Sequence, residues 1–311
     1  MEYIGIKNTD LQVSRVCMGG CPMGRHGWGT VEEEELISAV RAALEQGINF
    51  FDTADTYGLG RSEQTLGRAL GSRRHDAVIA TKFGVRVGER GTRYDNTPQW
   101  IRQACEDSLR RLGTDYIDLY QVHYRDGKTD LHTVVETLEA LKQEGKIRWF
   151  GLSNLGLNDL PELEAHKGKF VSLQNQYSLA CRDREAEFLE LSEKMDLTPL
   201  TWGSLGQGVL TGKYDSSATF GSDDRRSQKV YVNFHGQKLL KNLEIVEVLK
   251  RIAAEQNKPV SAVAVRFILD HIPGSVVLCG AKRPAQILDN AQALGWNLNE
   301  SDLTLLDQIS K

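Results

Sequence analysis

The sequence predicts a (β/α)8 (TIM) barrel of α/β class, preceded by a short N-terminal β-hairpin. Three observations carry this reading. Eight strand-sized apolar runs alternate with longer stretches of helical periodicity, which is the pattern of α/β proteins. The 311 residues exceed the roughly 250 such a barrel takes, leaving room for a hairpin and long loops. An open doubly wound sheet would place Gly-x-Gly-x-x-Gly after its first strand. Here Met18-Gly19-Gly20-Cys21-Pro22-Met23-Gly24 has a different spacing. No linker or low-complexity segment divides the chain, so residues 1–311 are expected to form one domain.

Each element has a local reason. The hairpin is expected to pair residues 2–6 with 12–14, because Asn8-Thr9-Asp10 is turn chemistry. Barrel strands are expected at 16–19, 48–53, 77–82, 117–123, 147–153, 170–176, 198–204 and 275–280. They are nearly continuous apolar runs, as parallel strands covered on both faces require. A helix over 31–46 puts Leu36, Val40, Ala43 and Leu44 on one face and stops at Gly47. Thr97 is a natural N-cap with Pro98 at the first helical position, and that helix stops at Gly113. Further helical patterns cover 131–144, 183–194, 237–256, 261–269 and 284–294. Residues 215–236, with Asp223, Asp224, Arg225 and Arg226, show neither period. A lid or binding loop fits this stretch, and so does a tolerated surface insertion.

Composition excludes several function classes. Lys plus Arg total 38 and Asp plus Glu 42, a net charge of -4, without the basic excess that phosphate neutralisation on nucleic acid demands. No apolar run approaches the roughly 20 residues of a membrane span, and Met1-Glu2-Tyr3-Ile4 lacks the basic start of a secretory signal. Neither a nucleic acid nor a membrane is therefore an expected partner. Five widely spaced cysteines without Cys-x-x-Cys favour reduced thiols and a cytoplasmic location. The 29 glycines against 7 prolines point to many tight turns, or to backbone closely approaching a ligand.

Active sites of such barrels lie at the C-terminal ends of the strands. Read there, the second strand ends Phe51-Asp52-Thr53-Ala54-Asp55-Thr56-Tyr57-Gly58, the third Thr81-Lys82-Phe83 and the fourth Gln121-Val122-His123. A ring of amides follows at Ser153-Asn154 and Gln174-Asn175-Gln176. Asp52 and Lys82 end apolar runs, where a lone charge is costly, so the two are expected to pair. An ammonium beside Tyr57 is expected to favour the phenolate and lower the phenol's pKa. His123 can donate a hydrogen bond to a substrate oxygen. An acidic phenol with an oxyanion donor suits carbonyl reduction, but no side chain delivers hydride, so a nicotinamide cofactor is implied. Asp52 and His123 also admit a metal-dependent hydrolase, against which Lys82 on the same rim argues. Taken singly, each of these residues is an ordinary core or packing group. Their convergence at three successive strand ends is what favours function.

These residues resemble those of the aldo-keto reductases, NADP(H)-dependent oxidoreductases on a (β/α)8 barrel. The most specific marks are Phe51 to Gly58, Thr81-Lys82 and Gly151-Leu152-Ser153-Asn154, and the likeness runs nearly the whole chain. It implies a catalytic tetrad of Asp52, Tyr57, Lys82 and His123 acting on a small-molecule carbonyl substrate. Ser153, Asn154 and Gln176 would hold the nicotinamide carboxamide, with Trp202 stacked on its ring. Gly203, Ser204, Leu205, Gly206, Gln207, Gly208 and Lys213 would line the pyrophosphate. Gly280, Lys282, Arg283, Gln286, Asp289 and Asn290 would take the adenosine end, where a helix N-terminus suits an anion. Lys282 and Arg283 supply charge for a 2′-phosphate, which favours NADP over NAD.

Departures from the family pattern are equally specific. Gly20-Cys21 replaces a Thr-Trp pair common in the first, cofactor-side loop and removes a bulky wall. Tyr124-Arg125 follows His123 in place of Trp-Pro or Arg-Pro, Gly280 replaces a lysine and Gln286 an arginine. The substrate pocket is expected from Met23, Trp28, Phe83, Tyr124 and Arg125. Arg125 either signals an anionic or polar substrate or faces solvent. The superfamily also contains NADP-binding regulatory proteins of the potassium-channel β-subunit type, which remains the alternative function.

Overall fold

The computed structural model describes residues 1–88 and 91–311. The chain opens with a hairpin in which β1 (Tyr3–Gly5) pairs antiparallel with β2 (Gln12–Ser14). The barrel begins with β3 (Val16–Gly19), α1 (Glu33–Glu45), β4 (Phe50–Asp52), α2 (Arg61–Leu70) and β5 (Val78–Phe83). A second hairpin, β6 (Val85–Gly88) with β7 (Gly91–Tyr94), precedes α3 (Pro98–Leu112). Then come β8 (Ile117–Val122), α4 (Leu131–Gln143), β9 (Ile147–Ser153) and the short α5 (Leu160–Glu164). The circuit continues with β10 (Ser172–Gln176), α6 (Glu185–Lys194) and β11 (Thr198–Trp202). It ends with α7 (Gly236–Gln256), α8 (Val260–His271), β12 (Val276–Gly280), α9 (Pro284–Ala291) and α10 (Glu300–Ser310).

Strands β3, β4, β5, β8, β9, β10, β11 and β12 close into a parallel barrel, with β12 returning to β3. Every expected barrel strand is present, with ends within two residues of the predicted ones at most positions. The expected caps hold too. Thr97 accepts a hydrogen bond from the Trp100 amide at 3.4 Å, and Gly113 ends α3 at φ 65°. No helix among the described residues is long and apolar enough to cross a membrane.

The barrel interior is graded along its axis. Near the N-terminal end, Phe50, Leu119, Leu200 and Val276 pack with Ile6, Leu11 and Val13, so the first hairpin plugs that end. Towards the C-terminal end the inward residues turn polar: Asp52, Lys82, Gln121 and Gln174 are all buried. A larger apolar shell fills the space between strands and helices. The plug closes the N-terminal end, and a cavity lies at the C-terminal mouth.

Helix α2 was absent from the expectations. Its buried face carries Ser62, Glu63 and Thr65 before Leu66, Ala69 and Leu70, so apolar spacing marks only its second half. Glu63 is compensated internally, accepting from Thr81 Oγ1 at 2.6 Å and Arg111 Nε at 2.6 Å. Gly67 brings the helix close to α3, since a Cβ there would lie 2.4 Å from the Leu112 carbonyl oxygen. The β6–β7 hairpin, α5 and α10 were likewise unassigned.

Candidate active site

The C-terminal ends of β4, β5 and β8 bring the four ionisable residues together. Lys82 Nζ donates to Asp52 Oδ1 at 2.5 Å and to the Thr53 carbonyl at 2.8 Å. The second Asp52 oxygen accepts from Gln121 Nε2 at 3.2 Å and Gln174 Nε2 at 2.8 Å. The expected ion pair is therefore present, and both charges are satisfied inside the barrel. Lys82 Nζ lies 5.1 Å from the centroid of the Tyr57 ring. The Tyr57 and His123 rings meet edge to face at 5.9 Å.

Tyr57 is held by a close backbone approach. A Cβ on Gly58, whose φ is +62°, would fall 2.0 Å from the Gly24 carbonyl oxygen. Only glycine permits this contact, which fixes the turn after β4 against the loop after β3.

The titration behaviour corrects one expectation. Desolvation raises the Tyr57 phenol well above its usual range, with Cys21, Asp52, Tyr124 and Asp55 adding to the effect. The expected lowering by Lys82 does not prevail, because burial of the phenol outweighs it. Tyr57 is thus a protonated phenol at neutral pH. Desolvation, then Lys82, holds His123 well below the usual imidazole range, so its ring is neutral. His123 Nδ1 is buried without a hydrogen-bond partner.

Asp52, Tyr57 and His123 form one end of a cavity of about 520 Å³, with Lys82 outside its wall, and the volume is within the size range of small-molecule sites. Its wall includes Gly20, Cys21, Asp52, Tyr57, His123, Ser153, Asn154 and Trp202. It continues past Gly203, Ser204, Leu205, Gln207, Gly208 and Lys213 to Gly280, Lys282, Gln286, Asp289 and Asn290. Asn154, in the left-handed region at φ 59°, donates to the His123 carbonyl at 3.0 Å and accepts from Trp202 Nε1 at 3.0 Å. That link ties the indole to the histidine strand.

Several expected residues lie elsewhere. Gln176 and Gly206 are not in the cavity wall; from β10 it is Gln174, two residues earlier, that reaches it. Arg283 is exposed and pairs with Glu35 at 3.0 Å. Met23 and Phe83 are fully buried, Phe83 packing on Tyr120 at 4.7 Å. Arg125 is held by both Glu162 oxygens at 3.0 Å, which removes it from the pocket. Trp28 and Tyr124 do line the cavity. Trp28 Nε1 donates to Cys21 Sγ at 3.4 Å, so its indole supplies the wall that cysteine leaves out.

Residues 215–236 are part of this wall. Trp28 and Asp224 form an antiparallel bridge, the Arg225 amide donates to the Gly27 carbonyl at 3.1 Å, and Lys282 Nζ donates to the Trp28 carbonyl. Tyr214, Arg225, Arg226 and Tyr231 thereby reach the cavity. Sequence reasoning missed these side chains, although Arg225-Arg226 inside an aperiodic stretch was a usable signal. Arg226 is tied to Asp224 at 2.6 and 2.9 Å and to the Tyr214 hydroxyl at 2.8 Å.

The donor set fits a nicotinamide dinucleotide. One end offers amide groups, an indole and an unpartnered imidazole nitrogen. The other offers bare glycine backbone, the cationic Lys213 and Lys282, and the α9 N-terminus, which suits phosphate.

The comparisons agree with this geometry. The model of the Aldo/keto reductase family matches residues 15–311. The aldo-keto reductase YhdN of Bacillus subtilis is 35% identical over 306 residues, 97% of this chain and 91% of that one. The NADH-specific methylglyoxal reductase of Escherichia coli is 31% identical over 327 residues, 100% of this chain and 99% of the relative. Among solved structures, the glycerol dehydrogenase of Gluconobacter oxydans superposes with a TM-score of 0.88 at 35% identity, covering 99% and 94% of the two chains. An aldo/keto reductase of Klebsiella pneumoniae in complex with NADP and acetate gives 0.73 at 25% identity, covering 96% and 92%. The chain belongs to the aldo/keto reductase family and is an oxidoreductase that acts on small carbonyl compounds with a nicotinamide cofactor.

Proposed function

We propose that the protein reduces an aldehyde or ketone to the alcohol with NADPH, using Tyr57 as the proton donor. The observation that carries this is the meeting of Tyr57, His123 and Trp202 at one end of a single cavity whose other end is cationic. When bound, the nicotinamide supplies the hydride that no side chain can. Tyr57 gives its phenolic proton to the substrate oxygen as negative charge develops there, and regains a proton from water afterwards. The neutral His123 ring donates a hydrogen bond to the same oxygen and orients the carbonyl. Lys82, anchored by Asp52, stabilises the phenolate left on Tyr57. Ser153 and Asn154 would hold the carboxamide, with Trp202 beside them in the same wall.

The preference for NADPH rests on this chain's own residues, since the E. coli relative is named NADH-specific. Lys213 and Lys282 would carry the phosphate charge; Arg226, bound by Asp224, and Arg283, engaged with Glu35, would not. The test is an oxidation screen of NADPH and NADH against aldehydes, ketones, quinones and sugars. Turnover of a carbonyl compound with NADPH faster than with NADH is expected. Tight NADPH binding without turnover on any carbonyl would instead favour a regulatory, cofactor-binding role.

A further inference from the structure

Beside the main cavity lies a second one of about 600 Å³, between the loop after β3 and residues 222–231. Its wall includes Arg25, His26, Asp223, Arg225, Gln228 and Tyr231. Arg225 and Tyr231 line both cavities, so the two share a wall. The second cavity has no role in the chemistry derived above.

Its charge is arranged in an unusual way. Asp224, one residue from Arg225, is fully committed to Arg226. Arg225 has no carboxylate within 4.0 Å among the described residues, and its Nη2 donates only to the His26 carbonyl at 3.2 Å. Its guanidinium carbon lies 5.6 Å from the Trp28 ring centroid. The seat is built for it, because a Cβ on Gly27, at φ +72°, would lie 2.3 Å from Arg225 Nε. Arg25 faces the same space. Among the described residues its only carboxylate contact is a long one to Glu33 at 3.5 Å, and its Nε is buried without a partner. Two arginines with unused donors thus flank a polar cavity whose wall, among the described residues, holds one carboxylate, the exposed Asp223. Trp28 connects this place to the reaction centre, since its indole reaches Cys21 beside Tyr57.

We propose that this second cavity is an anion subsite of the substrate pocket, and that the preferred substrates are aldehydes or ketones with an anionic tail, a carboxylate or phosphate, several bonds from the carbonyl. The proposal rests on the reductase reading above. A planar guanidinium matches both anions through paired N–H donors. The tail is bound alike in ground state and transition state, so its effect falls on KM rather than kcat.

The test compares 4-oxobutanoate, 6-oxohexanoate and 4-carboxybenzaldehyde with their methyl esters under saturating NADPH. In the wild type at least one acid should exceed its ester about tenfold in kcat/KM, through KM. Arg225→Gln should bring that ratio to within about twofold, and Arg225→Lys should keep part of it. Salt near 0.5 M should weaken the acid's advantage, since screening acts on the charged pair. Arg25→Gln, at a residue that lines only the second cavity, should lower the acid-to-ester ratio as well while NADPH affinity, measured by tryptophan quenching, stays unchanged. Calorimetric binding of adipate, lost in Arg225→Gln, reads the subsite independently of turnover. Esters turning over as well as acids would overturn the subsite and leave the reductase reading intact. An Arg225→Gln variant that weakens NADPH and lowers acid and ester equally would assign Arg225 to the cofactor and also overturn it. Adipate binding without turnover of any carbonyl would keep the anion site and remove the reductase reading. Absence of adipate binding would count against the site.

Discussion

Replacing Lys82 with methionine isolates the buried ion pair at the head of the barrel. The side chains of Lys82 and Asp52 are only 1% and 4% exposed, so solvent cannot compensate for the lost partner. Asp52 would keep the Gln121 and Gln174 amides but no countercharge. Breaking a buried pair on one side costs about 3–5 kcal/mol. For 311 residues, an unfolding entropy of roughly 2.1 cal/mol/K per residue gives about 0.65 kcal/mol per K, so Tm should fall by about 5–8 °C. Adding Asp52→Asn removes the stranded charge while keeping a hydrogen-bonding amide, and most of the loss should return. Reduction should stay impaired in both variants. Calorimetry gives the Tm values, and NADPH oxidation gives the rates. A single variant that loses less than about 1 °C, or a double variant less stable than the single, would refute the assignment of this pair as buried and mutually compensating.

Two further outcomes follow from the loops at the mouth. Burial raises the Asp126 pKa, but the Asn96, Thr129 and Lys128 amides outweigh it and hold the group at about 2. Its folded pKa lies below the unfolded one, so its stabilisation is present above about pH 4 and is lost as pH falls through about 2. Asp126→Asn should flatten the decline of Tm over that window, and an unchanged slope would exclude the carboxylate. Asn233 Nδ2 donates to Gln207 Oε1 at 2.5 Å, holding a cavity residue at φ 55°. Loss of about 1 kcal/mol from Asn233→Ala predicts a roughly fivefold weaker NADPH Kd with kcat preserved; equal affinity would dissociate Asn233 from the cofactor path.

The barrel was legible because parallel strands covered on both faces leave nearly continuous apolar runs, as in Val16–Met18 and Val276–Cys279. Helix α2 was not, because Glu63 and Thr65 occupy its buried side and are paid for by hydrogen bonds that no periodicity encodes. The ionisable cluster was visible for a related reason: a charge ending an apolar run, like Asp52 or Lys82, must find a partner nearby. The pocket rim was harder. Whether Arg125 or Arg225 faces the cavity depends on Glu162 and on the Gly27 carbonyl, partners 37 and 198 residues away in sequence respectively. The raised pKa of Tyr57 required the same long-range knowledge, since it depends on burial of the ring and on Cys21, Asp52, Tyr124 and Asp55 around it.

The most direct measurement is the rate of carbonyl reduction by Tyr57→Phe beside its affinity for NADPH. The substitution removes one hydroxyl and keeps the ring between Lys82 and His123. A proton donor acting in the transition state contributes about 10²–10⁴-fold. NADPH affinity near the wild-type value with kcat/KM lowered by at least about a hundredfold is the predicted result. Reduction within about tenfold of the wild-type rate, with NADPH still bound, would contradict Tyr57 as the proton donor.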